Sequence, residues 1–166
     1  MSDGARPVWQ LRRATEADLP AIMELERTTF VSDAWSEHSM HAELVSTNAY
    51  YLVAFEPENP ERIDAYAGLL APRGSGEGEI QTIAVAERAR RHGLGRTLMR
   101  ALIGEARSRG AGEVFLEVRA DNPGAQALYR ELGFDEIGVR PQYYQPDGVD
   151  AIVMRLVVPT PETTLA

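Results

Sequence analysis

The chain of 166 residues is 44% hydrophobic and 25% charged, which is ordinary for one globular domain with a sizeable core. It contains no cysteine, and this excludes disulfides, thiolate nucleophiles and cysteine metal sites. The formal net charge of −8 disfavours nonspecific nucleic-acid binding and favours basic partners.

The first half of the chain predicts three strands and two helices. Val8 to Arg12 is expected to form the first strand. Thr15 with Asp18 three residues later is typical of a helix N-terminus, and the helix that follows places apolar residues on one face. Those residues are Leu19, Ile22, Met23 and Leu25. The remaining elements predicted here are a helix over Ser36 to Val45 and strands over Tyr50 to Phe55 and Ala65 to Ala71.

The second half, after a flexible glycine turn at Gly74 to Gly78, alternates strands with helices. The predicted elements are a strand over Ile80 to Val85, a helix over Leu94 to Arg109, a strand over Val114 to Val118, a helix from Asn122 to Gly133, and strands over Asp135 to Val139 and Ala151 to Leu156. Strands four and five are joined through a helix, so we expect them to be parallel, while hairpins on either side make the sheet mixed.

These elements predict an α/β (α+β) fold, with one domain over residues 1–166 and four helices on a mixed seven-stranded sheet. We expect the core to span about residues 8–157 and the Pro/Thr-rich end, about residues 158–166, to be a flexible tail. No apolar run is long enough to span a bilayer, and the segment MSDGARPVWQ does not resemble a signal peptide. We therefore expect a cytoplasmic protein that does not act at a membrane.

A short basic turn with two glycines, Arg90 to Gly95, links the fourth strand to the third helix. Glycine lets a backbone approach a ligand closely, and the unpaired N–H groups of a helix N-terminus then point at an anion. Five arginines crowd this part of the chain: Arg88, Arg90, Arg91, Arg96 and Arg100. The pattern indicates a pyrophosphate site; its alternative is a glycine-rich turn that binds nothing.

Two other phosphate-binding motifs are excluded at this turn. A Walker loop needs a Gly-Lys pair, and the chain has no lysine, because all 17 of its basic residues are arginine. A dinucleotide fingerprint needs a third glycine three residues after Gly95, where the chain has Leu98.

The turn resembles the acyl-CoA-binding motif Q/R-x-x-G-x-G/A of the GNAT acetyltransferases, and the order of elements is similar to that fold from the first strand to the seventh. A second segment, LEVRADNPGAQALYRELGF from Leu116 to Phe134, resembles more narrowly the RimI-type ribosomal-protein alanine N-acetyltransferases. The strand EIQTIAV, the pairs Trp35-Ser36 and Tyr143-Tyr144, and the segment Asp150 to Leu156 are also similar to that branch. The resemblance implies acetyl-CoA as co-substrate, lying where strands four and five splay apart.

Glu117 lies on a strand that is otherwise apolar, and a carboxylate is costly to bury there unless something uses it. It fits a general base for an attacking amine, or else the acidic partner of Arg119 or another arginine. In the RimI-like enzymes the matching glutamate is the proton acceptor, so the resemblance implies the catalytic role. Glu79, at the start of strand four, is the second candidate for this base.

Tyr129 lies on the inward face of the fourth predicted helix. An unperturbed tyrosine is protonated at neutral pH and can act as a general acid, although a helical tyrosine more often only packs in a core. The resemblance implies the acid, with Tyr129 protonating the leaving thiolate of coenzyme A.

The resemblance also implies which residues bind the coenzyme. The turn would hold the pyrophosphate, and the backbone of strand four would contact the pantetheine arm and the acetyl carbonyl. The implied residues are Ile83, Ala84, Val85, Arg90, Arg91, His92, Gly93, Leu94, Gly95 and Asn122. Asn122 would also cap the fourth helix, since it precedes a proline. No metal is expected, because the three histidines are too scattered to form a site: His38, His41 and His92.

We therefore expect an acetyl-CoA-dependent N-terminal acetyltransferase. The resemblance implies that its acceptor is the basic N-terminal peptide of a ribosomal protein, whose alanine α-amine attacks the thioester directly. Two alternatives stay open: a GNAT enzyme for another amine (a lysine side chain, a polyamine or an aminoglycoside), and a non-catalytic acyl-CoA-binding sensor domain. The loop around Trp35 and the segment Arg140 to Tyr144 are expected to set the acceptor preference.

Overall fold

A mixed sheet of seven strands, with helices against both faces, forms the fold of the computed structural model, which describes residues 7–159. In chain order the elements are β1 (Gln10–Arg13), α1 (Leu19–Thr29), α2 (Glu37–Val45), β2 (Ala49–Phe55), β3 (Ile63–Leu70), β4 (Glu77–Val85), α3 (Leu94–Ser108), β5 (Glu113–Arg119), α4 (Pro123–Glu131), β6 (Asp135–Tyr144) and β7 (Val149–Val157). The strand order is β1-β2-β3-β4-β5-β7-β6, and each described pair except β4–β5 is antiparallel. The predicted fold class, the four helices and the parallel pair are confirmed.

The sheet separates two apolar cores. Helices α3 and α4 cover one face, where Leu98, Leu102 and Tyr129 belong to the larger core. Helices α1 and α2 cover the other face, where Ile22 and Met40 belong to the smaller one. Strand β3 is buried on both faces along almost its whole length, which explains why Asp64 is its only charged residue.

Strand β6 is longer than predicted, because it continues through Pro141 to Tyr144. Proline cannot donate to a strand ladder, but β6 lies at the edge of the sheet and one of its sides needs no partner. A register shift between Arg140 and Tyr144, with φ of 53° at Gln142, accommodates the proline. The tyrosine pair is therefore held by the sheet rather than by a loop.

The parallel strands β4 and β5 separate partway along their length, as predicted. Their ladder extends from Glu77 opposite Glu113 to Ile80 opposite Leu116, and the described pairing ends there. On its other side β4 has a bulge at Gln81, because Ile80 and Thr82 pair with consecutive residues of β3. The last residues of β4 thus diverge from β5 and open a gap in the middle of the sheet.

The ordered core extends slightly beyond the predicted boundary at its C-terminal end. Val158 is 4% exposed and its amide donates to the Gly112 carbonyl at 2.9 Å. Most of the predicted tail, residues 160–166, lies outside the described residues. Across residues 7–159, no helix is long and apolar enough to cross a membrane.

Candidate active site

A cavity of about 1130 Å³ opens where β4 and β5 diverge. It reaches from the glycine turn before α3 to the loop after α1 and the end of β6. Its walls include most of the predicted site residues, namely Ile83, Val85, Arg90, Arg91, Gly95, Glu117, Asn122 and Tyr129. The fold therefore brings together the proposed acid, the proposed base and most of the proposed coenzyme contacts.

The glycine turn ends at Gly93, which caps α3 in the left-handed conformation with φ of +77°. Thr97 is the first residue of α3 whose amide bonds to the turn, at 3.0 Å from the Gly93 carbonyl oxygen. The amides of the three preceding residues, Leu94 to Arg96, are the unpaired donors of a helix N-terminus. Together with the positive end of the helix dipole they suit a phosphate group.

Not every residue of the turn faces the cavity. His92, Gly93 and Leu94 are absent from its described walls, and the Leu94 side chain is 4% exposed within the larger core. Any contact that Leu94 makes with a ligand is therefore made by its backbone. Ala84 is likewise 3% exposed and belongs to the smaller core, so it also offers only backbone groups.

The predicted arginine cluster is partly neutralised by the protein itself. Arg88 turns away to the buried carboxylate of Asp64, with 2.6 Å between Nη2 and Oδ1. Arg96 pairs with Glu131 on α4. Arg90 donates from Nε to the Val85 carbonyl at 3.0 Å. The positive charge at the turn is therefore smaller than the sequence indicates.

Strand β4 offers the cavity an edge without a ladder partner. Beyond Ile80 the described pairing with β5 has ended, so backbone groups around Ile83 and Val85 face the gap. Asn122, on the opposite side, accepts from the Ala125 amide at 3.1 Å, which confirms its predicted role as the cap of α4.

Glu117 lies on the wall of the cavity with its side chain 19% exposed. Its Oε1 is 2.9 Å from Nε of Arg140 on β6. Glu117 therefore has an arginine partner, as one of the two sequence interpretations expected, and that partner is Arg140. Arg119, the other arginine considered, instead pairs with three aspartates: Asp33, Asp121 and Asp147.

Two further titratable groups stand close to Glu117. A hydrogen bond to the Glu117 carboxylate, together with partial burial, raises the pKa of Tyr143. Partial burial of its own carboxylate, followed by the negative charges of Glu117 and Glu43, raises the pKa of Glu79. Glu79 is absent from the described cavity wall, so Glu117 is the better placed of the two candidate bases.

Tyr129 lies on α4 across the cavity from β6, with 7% of its surface exposed. Its ring packs edge-on against Phe134 with 6.1 Å between centroids. Burial raises the pKa of Tyr129 to about 12, so its hydroxyl stays protonated throughout the neutral range. Tyr129 is therefore both a core residue and a neutral proton donor at the cavity.

The sequence interpretation missed Glu26, which is 1% exposed on α1 and lines the same cavity. Its Oε2 accepts from the Trp35 amide at 2.9 Å, and its Oε1 accepts from the Tyr66 hydroxyl. Burial raises the pKa of this carboxyl. The available signal was its spacing, since Glu26 follows the buried Ile22 by one helical turn.

The loop after α1 is tied to the far end of the sheet as well. Arg119 joins Asp33 of that loop to Asp147 of the β6–β7 turn, at 3.4 and 3.2 Å. Its guanidinium also lies 5.2 Å from the centre of the Tyr144 ring. These contacts close one end of the cavity. Within residues 7–159, no group of three or more His, Cys, Asp or Glu side chains is arranged to hold a metal ion.

Comparison with known proteins gives this site a family. The model of the acetyltransferase (GNAT) family matches residues 19–134. The chain is 39% identical over 144 residues to the N-alpha-acetyltransferase RimI of Mycobacterium tuberculosis, covering 85% of this chain and 87% of that protein. It is 36% identical over 143 residues to the ribosomal protein bS18-alanine N-acetyltransferase of Escherichia coli K12, covering 85% and 92%.

The crystal structure of the ribosomal-protein-S18-alanine N-acetyltransferase from Escherichia coli has the same fold. It superposes with a TM-score of 0.81 at 31% sequence identity, covering 96% of this chain and 99% of that one. The splayed sheet and the glycine turn thus occur together with a family match over most of the chain. This chain belongs to the GNAT family of acetyltransferases and is an acetyl-CoA-dependent N-acetyltransferase that resembles the RimI-type enzymes.

Proposed function

We propose that this enzyme transfers acetyl from acetyl-CoA to the N-terminal α-amine of a protein, with the N-terminal alanine of a ribosomal protein as its acceptor. The observation that carries the proposal is the placement of Glu117 and Tyr129 on the walls of one cavity at the splay of β4 and β5. The name of the relative at 39% identity supports an α-amine acceptor, and the name of the relative at 36% identity supports the alanine of a ribosomal protein. We also infer one domain over residues 1–166 and a cytoplasmic location, where ribosomal proteins are made.

The cavity fits the coenzyme by its donors as well as by its size. The free amides at the start of α3 suit the pyrophosphate, and the unpaired edge of β4 suits the amide groups of a pantetheine arm. Arg91, Gly95 and Asn122 flank this path. Acetyl-CoA supplies an activated acetyl group, and the protein holds it in place and moves protons.

Proton transfer is divided between two sides of the sheet. Glu117 accepts a proton from the attacking ammonium or amine, and Tyr129 donates one to the departing sulfur. Backbone N–H groups on the free edge of β4 polarise the carbonyl that is attacked. The two groups have separate surroundings, because Tyr129 is buried on α4 while Glu117 lies partly exposed on β5.

The α-amine is the acceptor that a modest base can serve. An α-amino group has a pKa of about 7.7–8.0, so roughly a third of it is free base at pH 7.5, whereas a lysine amine near 10.4 is about a thousandth free base. The α-amine therefore needs less help from a general base than a lysine side chain does.

The test uses one basic peptide in three forms: free N-terminal alanine, blocked N-terminus, and blocked N-terminus with an added lysine. Mass spectrometry after incubation with acetyl-CoA is expected to find acetylation only of the free α-amine. Because the enzyme has no lysine, its own side chains contribute no acetyl-lysine to the products. Efficient acetylation of the blocked peptides would make the enzyme a side-chain acetyltransferase, and no turnover of any amine would favour a sensor domain.

The identity of the base is tested by three matched glutamate variants. Glu117→Gln is expected to lower kcat about 10²–10⁴-fold with little change in coenzyme affinity. Glu113→Gln is the control. Glu113 lies on the same strand but outside the described cavity wall, and its Oε1 is 3.6 Å from Nη1 of Arg155. If Glu79→Gln lowers kcat more than Glu117→Gln does, the role of base belongs to Glu79.

A further inference from the structure

Trp9 connects the beginning of the described chain to the glycine turn before α3. Its Nε1 donates to Oδ2 of Asp64 at 2.8 Å. Its ring lies against the His92 ring with 5.4 Å between centroids and 49° between planes. Trp9 directly precedes β1, Asp64 lies at the start of β3, and His92 belongs to the turn. One half-buried side chain therefore bridges the sheet and the turn.

Asp64 makes this bridge rigid on the sheet side. It is 1% exposed, and a buried carboxylate needs several donors to be stable there. Besides Trp9, Arg88 donates from Nε to Oδ1 at 2.8 Å. The Asp64 backbone carbonyl accepts from the Ala86 amide, also at 2.8 Å. Ala86 caps the 3-10 turn that leads directly into Arg90, and Arg88 lies within it, so Asp64 fixes the entrance of the glycine turn.

The turn itself needs support, because two of its residues have left-handed backbones. Gly93 has φ of +77° and Arg91 has φ of +67°. That conformation is disfavoured for a residue other than glycine and persists where surrounding contacts hold it. His92 stands between these two residues with its side chain exposed, and its contact with Trp9 restrains the middle of the turn. Asp64 and Trp9 thus hold the turn at two successive points.

We propose that Trp9 is a positioning residue for acetyl-CoA: anchored by Asp64 and packed on His92, it holds the turn so that its amides face the pyrophosphate. The proposal rests on the placement of the coenzyme under the proposed function. Trp9 touches neither the reacting atoms nor the acceptor end of the cavity. Its loss should therefore weaken coenzyme binding without slowing the chemistry at saturation.

The kinetic test compares Trp9→Leu, His92→Ala and the double variant with wild type. Trp9→Leu is expected to raise both KM for acetyl-CoA and the calorimetric Kd for coenzyme A about two- to tenfold, with kcat unchanged. The effects of Trp9→Leu and His92→Ala should be less than additive, because each removes the same contact. Leu11→Ala is the matched control: Leu11 packs on the core from β1, two residues away, without touching the turn in the described contacts.

Nuclear magnetic resonance separates failure of this proposal from failure of the coenzyme site. On addition of coenzyme A to the wild type, the amide signals of Gly93 and Gly95 and the indole N–H signal of Trp9 are expected to shift. If the glycine signals stay fixed while coenzyme binds, the coenzyme lies elsewhere and the proposed site fails. If they shift while Trp9→Leu binds coenzyme as tightly as wild type, or while Leu11→Ala weakens binding equally, the role of Trp9 is overturned.

Discussion

Tyr129, the proposed general acid, is deeply buried and yet lines the ligand cavity. Burial raises its pKa to about 12, which keeps the proton in place until a strong acceptor forms beside it. A thiolate leaving from coenzyme A is such an acceptor. The raised pKa also means that the acid does not titrate within the range in which enzymes are normally assayed.

Tyr129→Phe should lower kcat about 10²–10⁴-fold, because it removes the proton donor and keeps the packing against Phe134. In the wild type, Tyr129 should produce no basic limb in the pH profile of kcat below about pH 11, since its pKa is raised to about 12. Steady-state rates over pH 6 to 10 check both expectations. Tyr50→Phe, on β2 outside the described cavity wall, serves as the control, and equal losses in both variants would remove Tyr129 from the mechanism.

Glu26 also has a raised pKa, and its effect should be measurable as a dependence of protein stability on pH. Its pKa is raised by burial in the fold, so the folded protein retains a proton that the unfolded chain releases as the pH rises. The stability that this carboxyl contributes is therefore complete below the ordinary pKa of a glutamate. It is lost as the pH rises through the higher value of the folded state.

Glu26→Gln should remove this dependence. The free energy of unfolding of the variant, measured relative to that of the wild type, should therefore increase as the pH rises from 4 to 8. Each unit by which burial raises the pKa corresponds to about 1.4 kcal/mol of this gain. Urea unfolding at several pH values measures it. Glu24→Gln, an exposed position on the same helix, should show no such trend, and a constant difference for Glu26→Gln would contradict the raised pKa.

At the scale of elements, two local backbone features shape the cavity, one within β4 and one at the start of α3. Gly93 starts α3 with a positive φ, and Gln81 forms the bulge that turns β4 away from β5. The bulge is held by the Tyr51 hydroxyl, which donates to Oε1 of Gln81 at 2.8 Å. Tyr51 in turn lies flat over Gly68, where a Cβ would meet its ring at 2.1 Å. The splay therefore depends on a small residue in the neighbouring strand.

Gly93→Val should destabilise the fold by about 1–2 kcal/mol and weaken coenzyme binding, because a β-branched residue is disfavoured at φ of +77°. No protein atom lies within 4 Å of a Cβ built there, so the loss comes from backbone strain rather than from a clash. Gly93→Asn should lose less, since asparagine tolerates this conformation better. Thermal unfolding and calorimetry measure both effects.

The control for this series is Gly104→Ala, in the exposed middle of α3, with no atom within 4 Å of its Cβ. It should stabilise the protein by about 0.5–1 kcal/mol, because glycine is a poor helix former. If Gly93→Val kept both the stability and the coenzyme affinity of the wild type, the turn would neither require glycine at this position nor bind the coenzyme.

At the scale of the whole molecule, the enzyme carries a net charge of −8. Two carboxylates lie where the loop after α1 meets the β6–β7 turn, and both are already paired with Arg119. They belong to Asp33 and Asp147. The attraction for a basic peptide therefore arises from the overall field as much as from any single contact. Such attraction acts on encounter and binding, and salt screens it.

The KM for a basic acceptor peptide should rise as salt increases from about 0.1 to about 1 M, over which the screening length falls from about 10 to about 3 Å. The kcat at saturation should change little, because the proposed acid Tyr129 and the proposed base Glu117 would act at short range inside the cavity. A neutral peptide with the same N-terminal residue is the control and should show a smaller rise. Equal salt dependence for both peptides would show that the protein's field does not select the acceptor.

The elements themselves were predictable because they follow from local pattern. Apolar periodicity located all four helices and seven strands, the Asn-Pro pair marked the start of α4, and the helical connection predicted that β4 and β5 are parallel. Motifs of a few residues predicted the family, which the comparisons confirm. Three strands are substantially longer than predicted. β4 begins at Glu77, within the predicted glycine turn, and β7 extends from Val149 to Val157. The largest difference, at β6, arose because the sequence does not reveal which strand lies at an edge.

Tertiary structure alone decided which charged and polar groups meet. Arg140 rather than Arg119 pairs with Glu117, because the sheet places β6 one strand away from β5, with β7 between them, and brings Arg140 to that carboxylate. The buried carboxylates of Glu26 and Asp64 accept hydrogen bonds from donors that are 9 to 56 residues away in the chain, and no local pattern encodes such pairs, although Arg62 also pairs with Asp64 from two residues away. Periodicity follows from the geometry of one element, whereas partners, burial and the resulting pKa values follow from the packing of many.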